Sequence, residues 1–441
     1  MQKKEKLANY LYYKRGQLIA ETYPSIKNFL TEICNKSYNE HLSEDEMFFL
    51  YSNLQNGEIS LLFSTKKLLF NLISQNQYEK SFIHIDGTYK LIDLGLPVMI
   101  ISTETKEHKF RPICFFVTFS EKKEQINLML KELKKFMLEK FNYNFSPEYV
   151  LSDNCDAIIA ACRDSIPNSF VHLLCHFHIM KGVRQKLQKI HLQNHKPVVY
   201  MGLKMLKNSS TEQIFSHHWK IVQDFWKARG VCNKFISSFE KENIKKKVSW
   251  HYGTSFFGKS RSNNSLESGN KLLKDHFDRK PHNIKDFLVK IQDFLREYSK
   301  QENTTFIAES TIGKKIKKAA ESIVQNEKVL FFEYEGKENF LYYPRKDMQQ
   351  NSERQLINSL HNFIENLDHM PKDMNEHYET KQYFRTINLT EKTCDCSNFY
   401  KYAYCKHIIS FKIFDGELAD PEVKARRKPG RKAKATTALK R

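Results

Sequence analysis

Two sets of residues in this chain have types and spacing that could do chemistry. The first is Cys394-Asp395-Cys396 followed by Cys405-Lys406-His407. Three soft thiolates and an imidazole at this spacing make a tetrahedral set for one structural Zn²⁺, against the plainer reading of reduced thiols that happen to cluster. The second set is three acids. Asp86 lies in Phe82-Ile83-His84-Ile85-Asp86-Gly87-Thr88-Tyr89, an apolar run where a buried strand should carry no charge. Asp-Gly between apolar runs is also a hairpin signal. A better turn stands at Asp93-Leu94-Gly95-Leu96-Pro97, which leaves Asp86 inside a strand running to about Leu91. Asp153 ends the short strand Tyr149-Val150-Leu151-Ser152, and Glu267 follows the polar run from Gly258. Singly, each has a plainer role: Asp153 as a helix N-cap, and Glu267 as the N3 partner of Asn264 in a capping box. Together, acids at Asp86, Asp153 and Glu267 suit divalent cations. Mg²⁺ takes a few carboxylates plus water and phosphate oxygens, and a pair of such ions can activate a nucleophile and stabilise a leaving oxygen.

Placing these acids requires a sheet. Residues 1 to 75 read as a helical N-terminal region, with Ser43-Glu44-Asp45-Glu46 as a capping box and Asn56-Gly57 as the stop. From 76 to 180 the pattern predicts strands at 82–91, 97–102 and 111–119, an amphipathic helix over 121–141, a strand at 149–153, a helix over 155–164 and a strand at 170–174. That order makes an α/β fold with a mixed five-stranded sheet, in which a helical crossover returns the fourth strand parallel to the first. Residues 181 to 255 read as an all-helical insertion; Phe215, Trp219, Val222 and Trp226 form a stripe whose helical spacing marks it as core packing. The helix bearing Glu267 belongs to a segment 256–300. It also presents Asn270, Lys271 and Lys274, donors suited to a metal-bound phosphodiester, so Lys271 and Lys274 are candidate DNA contacts. A helical linker over 301–380, a small ββα zinc finger over 381–415 and a disordered basic tail over 416–441 complete the organisation.

Composition narrows the partners. The 441 residues suffice for two to four domains, and a net charge of +20 favours a polyanion through counterion release, nucleic acid foremost. The tail concentrates that charge in Arg426, Arg427, Lys428, Arg431 and Lys432, readable as a nuclear localisation signal, a minor-groove DNA arm or a solvated tail. The sequence has no apolar stretch that would span a membrane and no secretory leader pattern after Met1, so an intracellular protein with no membrane and no small-molecule substrate is expected.

The acids in their contexts, Ile85-Asp86-Gly87-Thr88-Tyr89-Lys90, Leu151-Ser152-Asp153 and Ser262-Asn263-Asn264-Ser265-Leu266-Glu267-Ser268-Gly269-Asn270, together with Cys175-x-x-His178, resemble the Mutator-like element (MULE) transposases over roughly residues 60 to 300. The Cys-x-Cys…Cys-x-His pattern is similar to the SWIM zinc finger, a domain that often follows the catalytic domain in that family. The resemblance implies an RNase H-like DDE fold in which Asp86, Asp153 and Glu267 hold two Mg²⁺ or Mn²⁺ ions. It implies a structural or DNA-related role for Cys175 and His178, whose plainer reading is a buried thiol and a satisfied histidine. The implied activity is cleavage and strand transfer at transposon ends, with terminal repeats and target DNA as partners, a homo-oligomer assembled on DNA and a nuclear location. The alternatives are a domesticated zinc-binding DNA-binding protein or transcription regulator that no longer transposes, and a non-transposing RNase H-like nuclease.

Overall fold

The computed structural model describes residues 29, 32–33, 38–54, 59–78, 81–105, 108–166, 170–209, 211–245, 250–251, 264–301, 314–325, 330–334, 338–342, 372–374, 386–389, 392–394, 396–414 and 416. Its first unit is a sheet whose strands are β1 (Phe48–Asn53), β2 (Ser60–Ser64), β3 (Phe82–Thr88), β4 (Val98–Glu104), β5 (Phe110–Thr118), β6 (Tyr149–Ser152) and β7 (Val171–Leu174). They lie side by side in the order β1-β2-β5-β4-β3-β6-β7. The pairs from β1 to β3 are antiparallel, whereas β3, β6 and β7 run parallel. The five predicted strands are therefore present, in a mixed sheet that has seven.

The two extra strands correct the helical assignment of the N-terminal region. Residues 48–53 and 60–64 pair as an antiparallel ladder on β5, and among the described residues of this stretch α1 (Lys66–Tyr78) is the long helix. Ser43 to Glu46 precede a strand instead of capping a helix: the Ser43 hydroxyl bonds the Asp45 carboxylate. Met47, Phe48 and Phe49 are all buried, with Phe49 on one core and Phe48 on the other, which is the two-faced burial of a strand. Asn56-Gly57, the stop expected for that helix, lies outside the described residues.

Alternation along the strands builds two cores. Ile83, Ile85, Met99 and Ile101 face α2 (Lys123–Phe141) and α3 (Asp156–Ser165), which contribute Ile126, Leu130, Leu133, Ile158 and Cys162. Val98, Ile100 and Phe115 face α8 (Asn264–His276) and α9 (Ile284–Ser299) through Leu266, Leu273, Phe287, Ile291 and Phe294. Helices on both faces are the arrangement in which parallel strands are normally found.

Between β7 and α8 the elements are helical: α4 (His176–Lys189), a short 3₁₀ turn, α5 (Lys196–Lys207), α6 (Glu212–Ala228), α7 (Asn233–Phe239) and a π turn over Glu240–Ile244. The stripe Phe215, Trp219, Val222 and Trp226 is core, packed with Phe235, Phe239 and Trp250.

The segment 301–380 is not wholly helical. After α10 (Lys314–Gln325) it forms a hairpin of β8 (Leu330–Tyr334) and β9 (Glu338–Tyr342), and β9 pairs with β10 (Thr386–Asn388), next to β11 (Thr393–Cys394). The Cys/His region thus sits at the edge of a four-stranded sheet, followed by α11 (Ser397–Tyr402) and α12 (Lys406–Phe414). Ala320 of α10 packs with Ile409 and Ile413 of α12, with Ile316 and Val324 flanking, so the basic helix has its apolar face on the finger and Lys315, Lys317 and Lys318 exposed. The tail residues Arg426, Arg427, Lys428, Arg431 and Lys432 lie outside the described residues. No helix among the described residues is long and apolar enough to cross a membrane.

Candidate active site and metal centre

Asp86 and Asp153 end up side by side because their strands are parallel and in register. The ladder pairs His84 with Leu151 and Ile85 with Ser152, so the next step places Asp86 opposite Asp153 at the C-terminal ends of both strands. In parallel α/β sheets that rim is where ligands bind. Both line one small pocket, together with Gly87, Tyr89, Met99, Glu121, Cys155 and Ile158. Asp153 is not the cap residue of α3. That place belongs to Cys155, whose backbone N–H donates to Asp153 Oδ1 at 3.1 Å. The Gly87 N–H donates to Asp86 Oδ1 at 2.9 Å.

The third acid approaches from the α8 face. Asn270, one turn beyond Glu267, donates from Nδ2 to Asp86 Oδ2 at 3.4 Å. A glycine allows this approach: a Cβ on Gly269 would stand 2.5 Å from the Phe110 ring, so a larger residue would push α8 off the start of β5. Gly269→Ala is expected to cost about 1–3 kcal/mol as overpacking, read as a lower urea midpoint.

Sequence reasoning missed two members of the site. Glu121 had been read as the start of a helix; it lies just before α2 and turns into the pocket, its Oε2 bonded by the Tyr89 hydroxyl and its Oε1 buried without a hydrogen-bond partner. Gly87 makes room for it, since a Cβ there would collide with Glu121 Oε1. The signal was the short Ser-Glu spacer between β5 and the amphipathic stripe, which places a carboxylate at the rim of the sheet. The other is Lys181 on α4, which favours the charged forms of Asp153 and Glu267. Lys271 and Lys274 lie on α8 as predicted, with Lys271 exposed.

Electrostatics follows from crowding. Burial, then the Asp153 charge, push Asp86 up to about 7, with Glu267 and Glu121 adding to the rise. Burial also raises Glu121, Asp153 and Glu267. Asp153 is held down in part by His178, and His178 is pulled below the ordinary histidine range by burial. Neighbouring carboxylates raise Asp86 and Glu121, and Glu121 Oε1, Glu267 Oε1 and Asn270 Oδ1 are buried and lack hydrogen bonds; oxygen donors of this kind suit hard divalent cations.

Cys175 and His178 also reach the site. Cys175 is the N-cap of α4 and fully buried, and His178 Nε2 lies 4.0 Å from Glu267 Oε1.

With that geometry in view, comparison with known proteins is informative. Residues 82–182 match the family model of the MULE transposase domain. The MULE domain match spans β3 into α4 and so contains Asp86, Glu121, Asp153, Cys175, His178 and Lys181; Glu267 lies beyond it. No curated protein matches the chain.

The second centre is compact. The ligand atoms of Cys394, Cys396, Cys405 and His407 lie within 4.8 Å of one another, and all four residues are buried. Cys394 sits in β11, Cys396 caps α11, and Cys405 and His407 bracket the start of α12; α11 makes the unit more than ββα. The Cys394 and Cys405 sulfurs stand 3.5 and 3.7 Å from His407 Nδ1. Backbone N–H groups of Phe399 and Ile408 donate to Cys396 Sγ and Cys405 Sγ, each at 3.4 Å, which stabilises thiolate. Interaction with Cys396 drives Cys394 up, while the same contact pulls Cys396 down. Three thiols and an imidazole in this geometry fit zinc. A zinc-loaded protein treated with a strong chelator is expected to unfold from β8 to α12, seen as lost protection of these amides from hydrogen exchange, while the main sheet stays protected.

Proposed function

We propose that the chain is a DNA transposase of the Mutator-like type, with an RNase H-like DDE catalytic domain and a C-terminal SWIM-type zinc finger. The observation that carries this reading is that Asp86 and Asp153 each follow the last registered pair of two adjacent parallel strands, Ile85 with Ser152, inside the MULE domain match, with the Glu267 charge from α8 acting on Asp86. The strand order β5-β4-β3-β6-β7, three antiparallel and two parallel, supports the RNase H-like assignment.

In this reading Asp86, Asp153 and Glu267 hold two Mg²⁺ or Mn²⁺ ions. Such a pair, when bound, supplies an activated water and stabilises the leaving oxygen. The protein's part is positional. Gly87 and Gly269 admit Glu121 and α8 to the rim, Asn270 orients Asp86, and Lys181 offers an ammonium for a phosphate oxygen. Cleavage at a transposon end frees a 3′-OH, which then attacks target DNA; no covalent protein intermediate is required. A homo-oligomer on DNA and a nuclear location accompany the proposal, as does DNA contact by Lys271, Lys274 and the basic tail.

The test is cleavage of labelled duplexes carrying the terminal repeats that flank the coding sequence, in Mg²⁺ and in chelator. Nicking at the repeat boundary that needs the metal and disappears in Glu267→Gln is the expected result. Boundary-specific binding without nicking in any divalent metal would favour the domesticated DNA-binding protein instead.

A further inference from the structure

The described residues contain a second group of potential metal ligands, outside the Cys394, Cys396, Cys405 and His407 cluster. One atom each from Cys175, His178 and Glu267 lie within 4.8 Å of one another. The group is built on two helices: Cys175 caps α4, His178 follows one turn later on the same side, and Glu267 comes from the first turn of α8. The gap of 4.0 Å between His178 Nε2 and Glu267 Oε1 is too long for a hydrogen bond. Two ligands held at about 2.1 Å by one tetrahedral ion stand roughly 3.4 Å apart, so a small side-chain rotation closes the site. A second observation points the same way: Glu267 Oε1, the atom that faces His178 Nε2, is buried and makes no hydrogen bond.

We propose that Cys175, His178 and Glu267 form a binding site for one thiophilic divalent cation of the zinc class, sharing Glu267 with the Asp86 and Asp153 carboxylates. A thiolate beside an imidazole selects zinc over Mg²⁺, which keeps to oxygen ligands. Binding releases the Cys175 proton and fixes the Glu267 carboxylate on the α4 side. The consequence for catalysis rests on the transposase reading: a carboxylate committed to zinc is withdrawn from the Mg²⁺ side, so zinc restrains cleavage.

The test uses the full chain, stripped of metal and dialysed against Zn²⁺, with bound metal counted per chain. Two equivalents are expected in the wild type and one in Cys175→Ser, with His178→Ala and Glu267→Gln at least tenfold weaker for the second equivalent. Because Cys175 is buried, the two milder variants read the site if the serine variant misfolds. Co²⁺ replacement adds a thiolate charge-transfer band that Cys175→Ser lowers without abolishing. One equivalent in the wild type, or two of equal affinity in all three variants, overturns the proposal. The count is independent of cleavage: two equivalents without Mg²⁺-dependent nicking would leave the site standing and remove the transposase reading.

Discussion

Asp153→Asn is expected to lower strand cleavage by about 10³-fold or more while leaving binding to terminal-repeat DNA within a fewfold of wild type. Removing one ligand charge from a paired-metal site forfeits transition-state stabilisation of about 4 kcal/mol, and each 1.36 kcal/mol is tenfold in rate. Asp86→Asn should match it, since both acids stand one residue past the last pair of the β3/β6 ladder. The double variant should be scarcely worse than either single one, because residues that act as one unit are non-additive. Glu121→Gln separates a carboxylate that only neighbours the others from one that shares their ligand. Its Oε1 is buried against Gly87, so an amide there keeps the volume and loses the charge. A loss of about tenfold, recovered at higher Mn²⁺, is the expected outcome. Undiminished cleavage in Asp153→Asn would overturn the assignment of these acids. The measurement is single-turnover cleavage alongside a gel shift on the same duplex.

The rim of the sheet was legible because a carboxylate in an apolar run has so few structural excuses. Asp86 was found in this way, and the strand order predicted that its neighbour would be the strand ending in Asp153. The N-terminal strands were not legible for a physical reason: Met47, Leu50 and Tyr51 satisfy a helical spacing and also lie in an unbroken apolar run, and short runs do not separate the two periods. Only pairing with β2, itself laid on β5, decides between them, and pairing is a tertiary fact. For Glu121 the spacer after β5 fixes a place at the rim, but its turn into the pocket depends on Gly87 lacking a Cβ, a close approach that no spacing rule encodes. The Cys/His cluster was legible from ligand type alone, but its sheet was not, because β8 and β9 lie far upstream of β10 in the chain.

The acids should also make the metal-free protein less stable as pH rises. Asp86 ionises at about 7 in the fold against an ordinary 3.8, with burial and then Asp153 as the causes. The native state therefore binds the proton more tightly than the unfolded chain. Stability from this group is fully present below about pH 4, declines as pH rises toward 7, and is lost above it. At 1.36 kcal/mol per pKa unit, the charge on Asp86 costs at most about 4 kcal/mol at pH 8. Asp86→Asn, which keeps the shape and abolishes the charge, is thus expected to raise the melting temperature of the metal-free protein at pH 8, with the gap closing by pH 4. The direction is opposite to the effect on cleavage, as expected where a site holds strained charge for function. Mg²⁺ or Mn²⁺ should reverse the ranking at pH 8: the ion neutralises the cluster in the wild type and has less to bind in the variant, so only the wild type gains stability with metal concentration. Metal affinity should fall as pH drops through 7, because the proton and the ion compete for Asp86. Thermal melts at pH 4, 6 and 8, with and without Mn²⁺, measure all three effects. A variant no more stable than wild type at pH 8 without metal would mean that Asp86 is already neutralised within the protein, and the rim would then lack the charge that calls for a cation.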